Sequence, residues 1–592
     1  MRAPMVRGSV DVRTALSDAG MRTHRLSRSV RCRRMGCRIT WDRASPRSCC
    51  ASFEWCQRLA ETAPHILCVV HGINNRLRFV VVDRRAPNPQ LPYPNVVLRV
   101  DRWDDFGYKT MYGVSLRTGR EKELPIGQVK ILQSGQQSGR PDLSSSFDQL
   151  GSDFCSVGQD IEYYEKLMEL PEELRKNYLR ALRDAAYDPA IEQEFADEDG
   201  WETSLLRFGQ AVNALSTGRQ LVLGNTIRTD RLSFEFQWLR EGSLTQIPFE
   251  FDDAGELPGR CHALIGYNGV GKTTLLADLA LAASSGRDTR TGAGERSKIS
   301  GNDTTFGAVV AVSYSAFDTF RTPESIRGRE AATGGSTNPE ARNAVFGYVY
   351  CGLRLKTAAE DPNVSDSSDE FKLKSINDIQ SEFAGALITA GLRESGGHLV
   401  AAFEALAREP SFGYAGVDLS TLGSGLDSDG AIGAFSRLST GHKIVLNIVT
   451  QLAAHLRTRS LVLIDEPETH LHPPLVAALL RAIQVLLKAH SSFAVIATHS
   501  PVVVQEIPSQ YVTILERYGD AVGIRQPEIE TFAENIGAIT RHVFSLDSSA
   551  TDYQGILASL SEGHTVEQIS EMFGNGLSIQ GRALVANYRG LP

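Results

Sequence analysis

One glycine-rich loop constrains this chain more than any other feature. Gly266-Tyr267-Asn268-Gly269-Val270-Gly271-Lys272-Thr273 lies between two apolar runs, His262-Ala263-Leu264-Ile265 and Thr274-Leu275-Leu276-Ala277-Asp278-Leu279-Ala280. The first run reads as a buried strand and the second as the start of a helix, so the glycines make a strand-to-helix turn. In such a turn successive backbone N–H groups point inward, and the helix adds the positive end of its dipole. The product is a cradle for phosphate, which commits this part of the chain to an α/β fold.

Three further segments follow in order. Leu438-Ser439-Thr440-Gly441-His442-Lys443 precedes the apolar helical run Ile444 to Leu456, which places Ser439 at a helix N-terminus, where a hydroxyl and free N–H groups can meet phosphate. Leu463-Ile464-Asp465-Glu466-Pro467-Glu468 closes an apolar strand that begins at Ser460. There the first carboxylate suits Mg²⁺, and the second is placed to orient and deprotonate an attacking water. Phe493-Ala494-Val495-Ile496-Ala497-Thr498 ends at His499, a donor for a γ-phosphate.

Within the loop, Lys272 would lie between the β- and γ-phosphates, and Thr273 would join Asp465 as an Mg²⁺ ligand. Gly266, Asn268, Gly269, Gly271 and Thr274 complete the nucleotide-contacting set, and Gly441 adds to it. Taken singly, each segment has a plain reading: a turn, an N-cap, solvated acids after a strand, a structural histidine. The order selects the functional one. Ser439 would lie too far from its own phosphate loop, so the arrangement implies a second copy supplying it in trans.

Bulk properties bound the rest. At 592 residues the chain holds two to four structural units. No apolar run reaches the length of a bilayer span, so no membrane partner is expected. The net charge of −8 gives no support for nucleic-acid binding, though it leaves a local basic face open. Cys32, Cys37, Cys49, Cys50, Cys56 and Cys68 crowd the start, while Cys155, Cys261 and Cys351 are scattered. That pattern is not a disulfide framework, and a reducing, cytoplasmic compartment fits. Residues 1–72 are Arg-rich and lack clean CxxC pairs. A zinc site, a basic targeting arm and a stretch outside the folded protein compete there, and the spacing favours the last, a disordered or non-native leader.

Residues 73–145 read as a small β-rich domain, with β-type runs at Phe79–Val82, Asn95–Val100 and Met111–Leu116. Residues 146–215 read as a helical connector broken at Pro171 and Pro189. The remainder, 216–592, reads as the core that carries the phosphate loop, entered by strands expected at Gln220–Gly224 and Leu232–Phe236. Ser284–Asp303, Ala331–Asn338 and Glu360–Asp369 read as loops. Helical text at Ser375–Leu392 and His398–Ala407 suggests a lid insertion over about 320–432, and a helical tail runs from about 530. No heptad repeat fills the stretch between Lys272 and Ser439, which excludes long coiled-coil arms. His470 and His472 lack a third donor and read as interface residues, not metal ligands.

Together these residues resemble the ABC-type ATPase heads of the RecF, SMC and OLD group, over about Gln220 to Arg517. Asp465-Glu466-Pro467-Glu468-Thr469-His470-Leu471-His472-Pro473 sets the chain apart from transporter subunits. The resemblance implies an α/β, ABC-type P-loop NTPase head with a helical lid insertion, preceded by the β-rich domain and the connector. It also implies ATP and Mg²⁺ as cofactors, Glu466, His499 and Ser439 as catalytic residues, and a homodimer or higher homo-oligomer through the heads. The tail after Ala521 has no Asp-x-Asp, so the Toprim nuclease of OLD proteins is not expected in this chain.

A narrower likeness, carried by Leu438–Leu446 and Thr531–Gly537, is to the stand-alone ATPases of anti-phage systems of the Septu PtuA type, also found beside retrons. It implies a separate HNH nuclease subunit and contact with DNA or RNA. Two departures bear on turnover. His442 replaces the usual Gln or Glu, and no Gln follows the strand Ala308–Ser313, which leaves Ser313 or Ser315 to act through water. A RecF-like DNA-repair clamp and an ATP-sensing scaffold with little turnover remain open as alternatives.

Overall fold

The computed structural model describes residues 29–31, 38–40, 77–120, 122–225, 230–284, 297–301, 305–316, 318–322, 344–345, 347–356, 371–392, 396–416, 418–419, 428–519, 521–544 and 552–590. Met1–Asn74 and Asn75–Pro592 form two compact units. In the first, β1 (Ser29–Arg31) and β2 (Arg38–Thr40) pair antiparallel. The six leader cysteines, and most of the leader itself, lie outside the described residues.

The second unit begins with a sheet of β3 (Arg78–Val82), β4 (Asn95–Val100), β5 (Met111–Gly119), β6 (Lys122–Gln133), β7 (Ser146–Phe147) and β8 (Phe154–Gly158), in the order β7-β3-β4-β5-β6-β8. Helices α1 (Ile161–Met168), α2 (Glu172–Ala181), α3 (Pro189–Phe195) and α4 (Gly209–Val222) follow. Asp160 and Asp188 cap α1 and α3 by accepting from the Tyr163 and Ala190 amides, and Pro189 takes the first helical position.

Strand residues such as Phe79, Val96, Leu98 and Ile131 share one buried core with Tyr164, Tyr178 and Leu215 of the helices. The sheet therefore runs past residue 145, and the helices read as a connector form its covering layer. The strand expected at Gln220–Gly224 is instead the end of α4, which runs to Val222, and the turn that follows it. Ala211, Ala214 and Leu215 bury at helical spacing against that core, and the helix carries the apolar Leu221-Val222 along with it.

In the ATPase part, β9 (Arg231–Arg240) and β10 (Ser243–Asp252) form a hairpin. β11 (Cys261–Gly266) leads through the glycine-rich loop into α5 (Lys272–Ser284). Next come β12 (Lys298–Ser300), β13 (Val309–Ser313), β14 (Ala344–Val345), β15 (Tyr348–Gly352), β16 (Arg354–Lys356) and β17 (Phe371–Leu373). The helices α6 (Ile376–Leu392), α7 (Gly396–Leu406), α8 (Pro410–Tyr414), α9 (Ser428–Arg437) and α10 (Thr440–His455) precede β18 (Leu461–Asp465). α11 (Pro473–Ala489), β19 (Phe493–Ala497), α12 (Pro501–Val504), β20 (Val512–Tyr518) and β21 (Ala521–Arg525) close the core. A tail of α13 (Ile536–His542), α14 (Asp552–Gly563), α15 (Val566–Glu571) and α16 (Ile579–Tyr588) follows.

The main sheet has the order β14-β15-β13-β18-β19-β11-β20-β21, parallel from β15 to β20 and antiparallel at both edges. Both faces are buried, as a parallel sheet requires. Val462, Ile464, Ala494 and Ile496 face the core shared with α6, α7, α10 and α11. Leu461, Leu463, Phe493 and Val495 face the core shared with α5 and the β9–β10 hairpin.

Two expectations change in detail. Within the stretch read as a lid, Tyr348-Val349-Tyr350-Cys351 is a strand of the main sheet, paired parallel with β13. An apolar run that short carries no periodicity to mark it as core. Ala331–Asn338 and Glu360–Asp369 lie outside the described residues. So does most of Ser284–Asp303, where β12 nonetheless pairs with β9.

Candidate functional site

Register builds the site. Ser313 pairs with Asp465, Asp465 with Ala497, and Leu264 with Ala497. The carboxyl ends of β13, β18, β19 and β11 therefore lie side by side, and the loops leaving them converge on the edge where α/β sheets bind ligands.

The glycine-rich loop opens a cavity of about 370 Å³ lined by Arg240, Asn268, Gly269, Gly271, Lys272, Thr273, Thr274 and Glu466. Gly269 and Gly271 have φ of +83° and +108°, which favours glycine. A Cβ on Gly271 would lie 2.1 Å from Arg240 Nη1. Lys272 is 5% exposed, and its ammonium donates to the Gly266 carbonyl at 2.9 Å. Burial pulls its pKa down, while Glu466, Asp465 and Glu468 hold it up.

The Thr273 hydroxyl donates to Asp465, 3.1 Å from Oδ1 and 2.9 Å from Oδ2. Burial lifts the Asp465 carboxyl to about 7, and Glu466 and Asp318 push the same way against Thr273 and Lys272. A hydroxyl beside a crowded, buried carboxylate is an oxygen donor set suited to Mg²⁺, whose charge would relieve the crowding. The inward-facing loop above it fits the phosphates of a nucleotide.

Glu466 has φ +47° and His470 +66°, in a turn where neither is glycine. Such backbone persists only where its surroundings hold it, and it clusters at functional sites. Here the Glu466 amide donates to Ala497 O at 2.8 Å. His499 Nδ1 lies 3.3 Å from Glu466 and 3.9 Å from Glu468. Glu468 Oε1 accepts from the Thr498 hydroxyl at 2.7 Å and the His499 amide at 2.9 Å, tying the acidic turn to the histidine turn.

Ser439 caps α10, and its Oγ is 2.6 Å from His442 Nδ1. His442 Nε2 is 3.0 Å from the Ser411 hydroxyl, so the departure at 442 wires the serine to α8. Burial lowers the His442 pKa, and Glu409 opposes it. Gly441 packs beside His470 O and Leu471. Neither Ser439 nor Gly441 lines the cavity at Lys272. His470 and His472 are exposed.

Two site residues escaped sequence reading. Arg240 lines the cavity from the β9–β10 turn, and only its place before Glu241-Gly242 hints at a turn. Asp318 follows β13, in the stretch where the resemblance places a Gln. It is 2% exposed, accepts from Tyr350 OH at 2.7 Å and pairs with Arg354 at 3.3 Å. No local pattern marks it.

Fold and site define a P-loop ATPase domain of ABC-like type. A family model described as "AAA domain, putative AbiEii toxin, Type IV TA system" matches residues 261–505. Protein ea59 of Escherichia phage lambda is 30% identical over 539 residues, covering 86% of this chain and 97% of that protein. The chain belongs to the same family as that phage protein.

Solved structures with similarity include an inward-facing "putative metal-chelate type ABC transporter", at 16% identity and TM-score 0.23, covering 50% of this chain and 83% of the other. The ADP form of MJ1267, an ABC transporter cassette, shows 14% identity, TM-score 0.23 and coverages of 52% and 94%. UvrA2 from Deinococcus radiodurans shows 19% identity, TM-score 0.23 and coverages of 52% and 40%. Superpositions of that quality carry no functional weight. Among the described residues, no helix is long and apolar enough to cross a membrane.

Proposed function

We propose that this chain hydrolyses ATP, dimerises through its ATPase heads when ATP is bound, and controls a nucleic-acid-directed effector. The observation that carries the reading is the convergence of Lys272, Thr273, Asp465, Glu466 and His499 at one sheet edge. Lys272 and the loop amides would bind the phosphates. Thr273 and Asp465 would hold Mg²⁺, which supplies charge neutralisation at the phosphates when bound. Glu466, steered by His499, would take the proton of the attacking water. Ser439 and Gly441 stand apart from the cavity, which supports their use on a second copy.

The effector we propose is a separate HNH nuclease in an anti-phage system. Support comes from the resemblance at Leu438–Leu446 and Thr531–Gly537, and from a family description that names an AbiEii toxin. A second reading, a scaffold with little turnover, is favoured by Ser313 and Asp318 standing where a Gln would serve Mg²⁺.

Glu466→Gln is the decisive variant. Phosphate release falls by about 10²–10⁴-fold while ATP binding is kept; unchanged turnover would remove Glu466 as base. Wild-type release no greater than that of Lys272→Ala selects the scaffold. Co-purification from the native locus with mass spectrometry tests the effector. A lone dimer carrying only DNA points to the repair-type clamp.

A further inference from the structure

We propose that Arg240 is a second cationic contact for the nucleotide, placed at the end of the phosphate cradle nearest the ribose. The proposal rests on the nucleotide-binding reading above. Arg240 ends β9 at a tight turn, where Glu241 has φ +51° and Gly242 has φ +82°. Its guanidinium carbon lies 5.6 Å from the centre of the Trp238 ring, and Nη1 donates to the Val270 carbonyl at 3.1 Å. The side chain is 24% exposed, and Nε leans toward Glu241 at 3.6 Å. An arginine held this way by an aromatic face and a loop carbonyl is pre-organised, and its fork suits phosphate oxygens.

Its position chooses the end of the ligand. The carboxylates and their partners occupy the flank of Thr273, Thr498 and His499. A metal held by Thr273 and Asp465 belongs at the β- and γ-phosphates. Arg240 instead touches Val270 and Gly271, on the flank of the β9–β10 hairpin. A ligand whose last phosphates face Asp465 therefore offers Arg240 its α- and β-phosphates. Gly271 leaves the space that the guanidinium uses, since a Cβ there would fall 2.1 Å from Nη1.

The test compares Arg240→Gln and Arg240→Lys with wild type for affinity to Mg–ATP and Mg–ADP, by displacement of a fluorescent ATP analogue. Arg240→Gln weakens ATP and ADP alike, by about tenfold, as the loss of one charged hydrogen-bonding contact implies. Arg240→Lys restores part of the loss. Wild-type affinities in Arg240→Gln overturn the proposal, and so does a loss confined to ATP, which would put the contact at the γ-phosphate. A drop in the unfolding temperature of the nucleotide-free protein with no rescue by lysine makes Arg240 a brace of the loop and also overturns it. Lys272→Ala is run alongside. If it too binds normally, the nucleotide-binding reading itself fails; if it alone fails to bind, only the Arg240 contact is lost.

Discussion

Two buried aspartates of this molecule, Asp105 and Asp465, are set in opposite surroundings. In the N-terminal layer, Lys130 and Asp105 meet at 2.7 Å with side chains 0% and 1% exposed. Asp105 also accepts from Trp103 Nε1, Ser204 Oγ and Arg207, and Lys130 donates to Ser204 O. Burial pulls the Lys130 ammonium down, yet Asp105 offsets it, and the cluster closes on itself. At the sheet edge, Asp465 accepts from Thr273 alone among the described residues, with Glu466 and Asp318 adding charge of the same sign. A satisfied network joins elements of the fold, whereas a crowded, under-compensated carboxylate is the kind of group that clusters at functional sites.

The largest test of that contrast swaps the lysine near each aspartate for methionine. Lys130→Met leaves Asp105 buried with less compensation and destabilises the nucleotide-free protein by about 3–5 kcal/mol in chemical denaturation. Lys272→Met shifts nucleotide-free stability by less than about 1 kcal/mol but abolishes the stabilisation that added ATP confers on wild type. Equal losses in the two variants would break the comparison.

A pH series probes a third buried acid. Asp184, beneath Tyr164, is lifted by burial from the ordinary 3.8 to about 7, against hydrogen bonds from the Tyr187 and Ala186 amides. Between those values the unfolded chain has released the proton while the folded chain keeps it, so stability falls as pH rises. The unfolding midpoint of wild type therefore declines relative to Asp184→Asn from pH 4 to 7 and runs parallel to it above that window. A gap that is flat across the window would show that Asp184 is already ionised in the fold.

The smallest effect concerns the seam between the two layers. Thr458 donates to Glu165 at 2.6 Å and Arg457 meets Glu162 at 3.1 Å, joining α1 to the turn before β18. Thr458→Ala costs about 1 kcal/mol in unfolding free energy. No measurable change would mean that the apolar contacts hold the seam unaided.

Much of the ATPase core was legible because its demands are local. The strand before Gly266, the helix after Lys272, and the strands ending at Asp465 and His499 each announce themselves in a few residues. The N-terminal layer was legible as strands and helices but not as one core, because Phe79 and Leu215 meet only through packing. At Gln220–Gly224 the short apolar run Leu221-Val222-Leu223 misled, since burial of the preceding helical face outweighed the local pattern.

By itself the sequence determined the phosphate loop, the hydroxyl and carboxylate of Thr273 and Asp465 as a chemical type, and the order of the motifs. Those depend on backbone freedom, charge and periodicity within short stretches. Only the tertiary structure decided that Arg240 lines the cradle, that Asp318 crowds Asp465, that Glu468 grips the histidine turn and that Tyr348–Gly352 belongs to the sheet. Each of these arises where distant stretches are brought together by strand register and burial, and no local pattern encodes which partner a residue will meet.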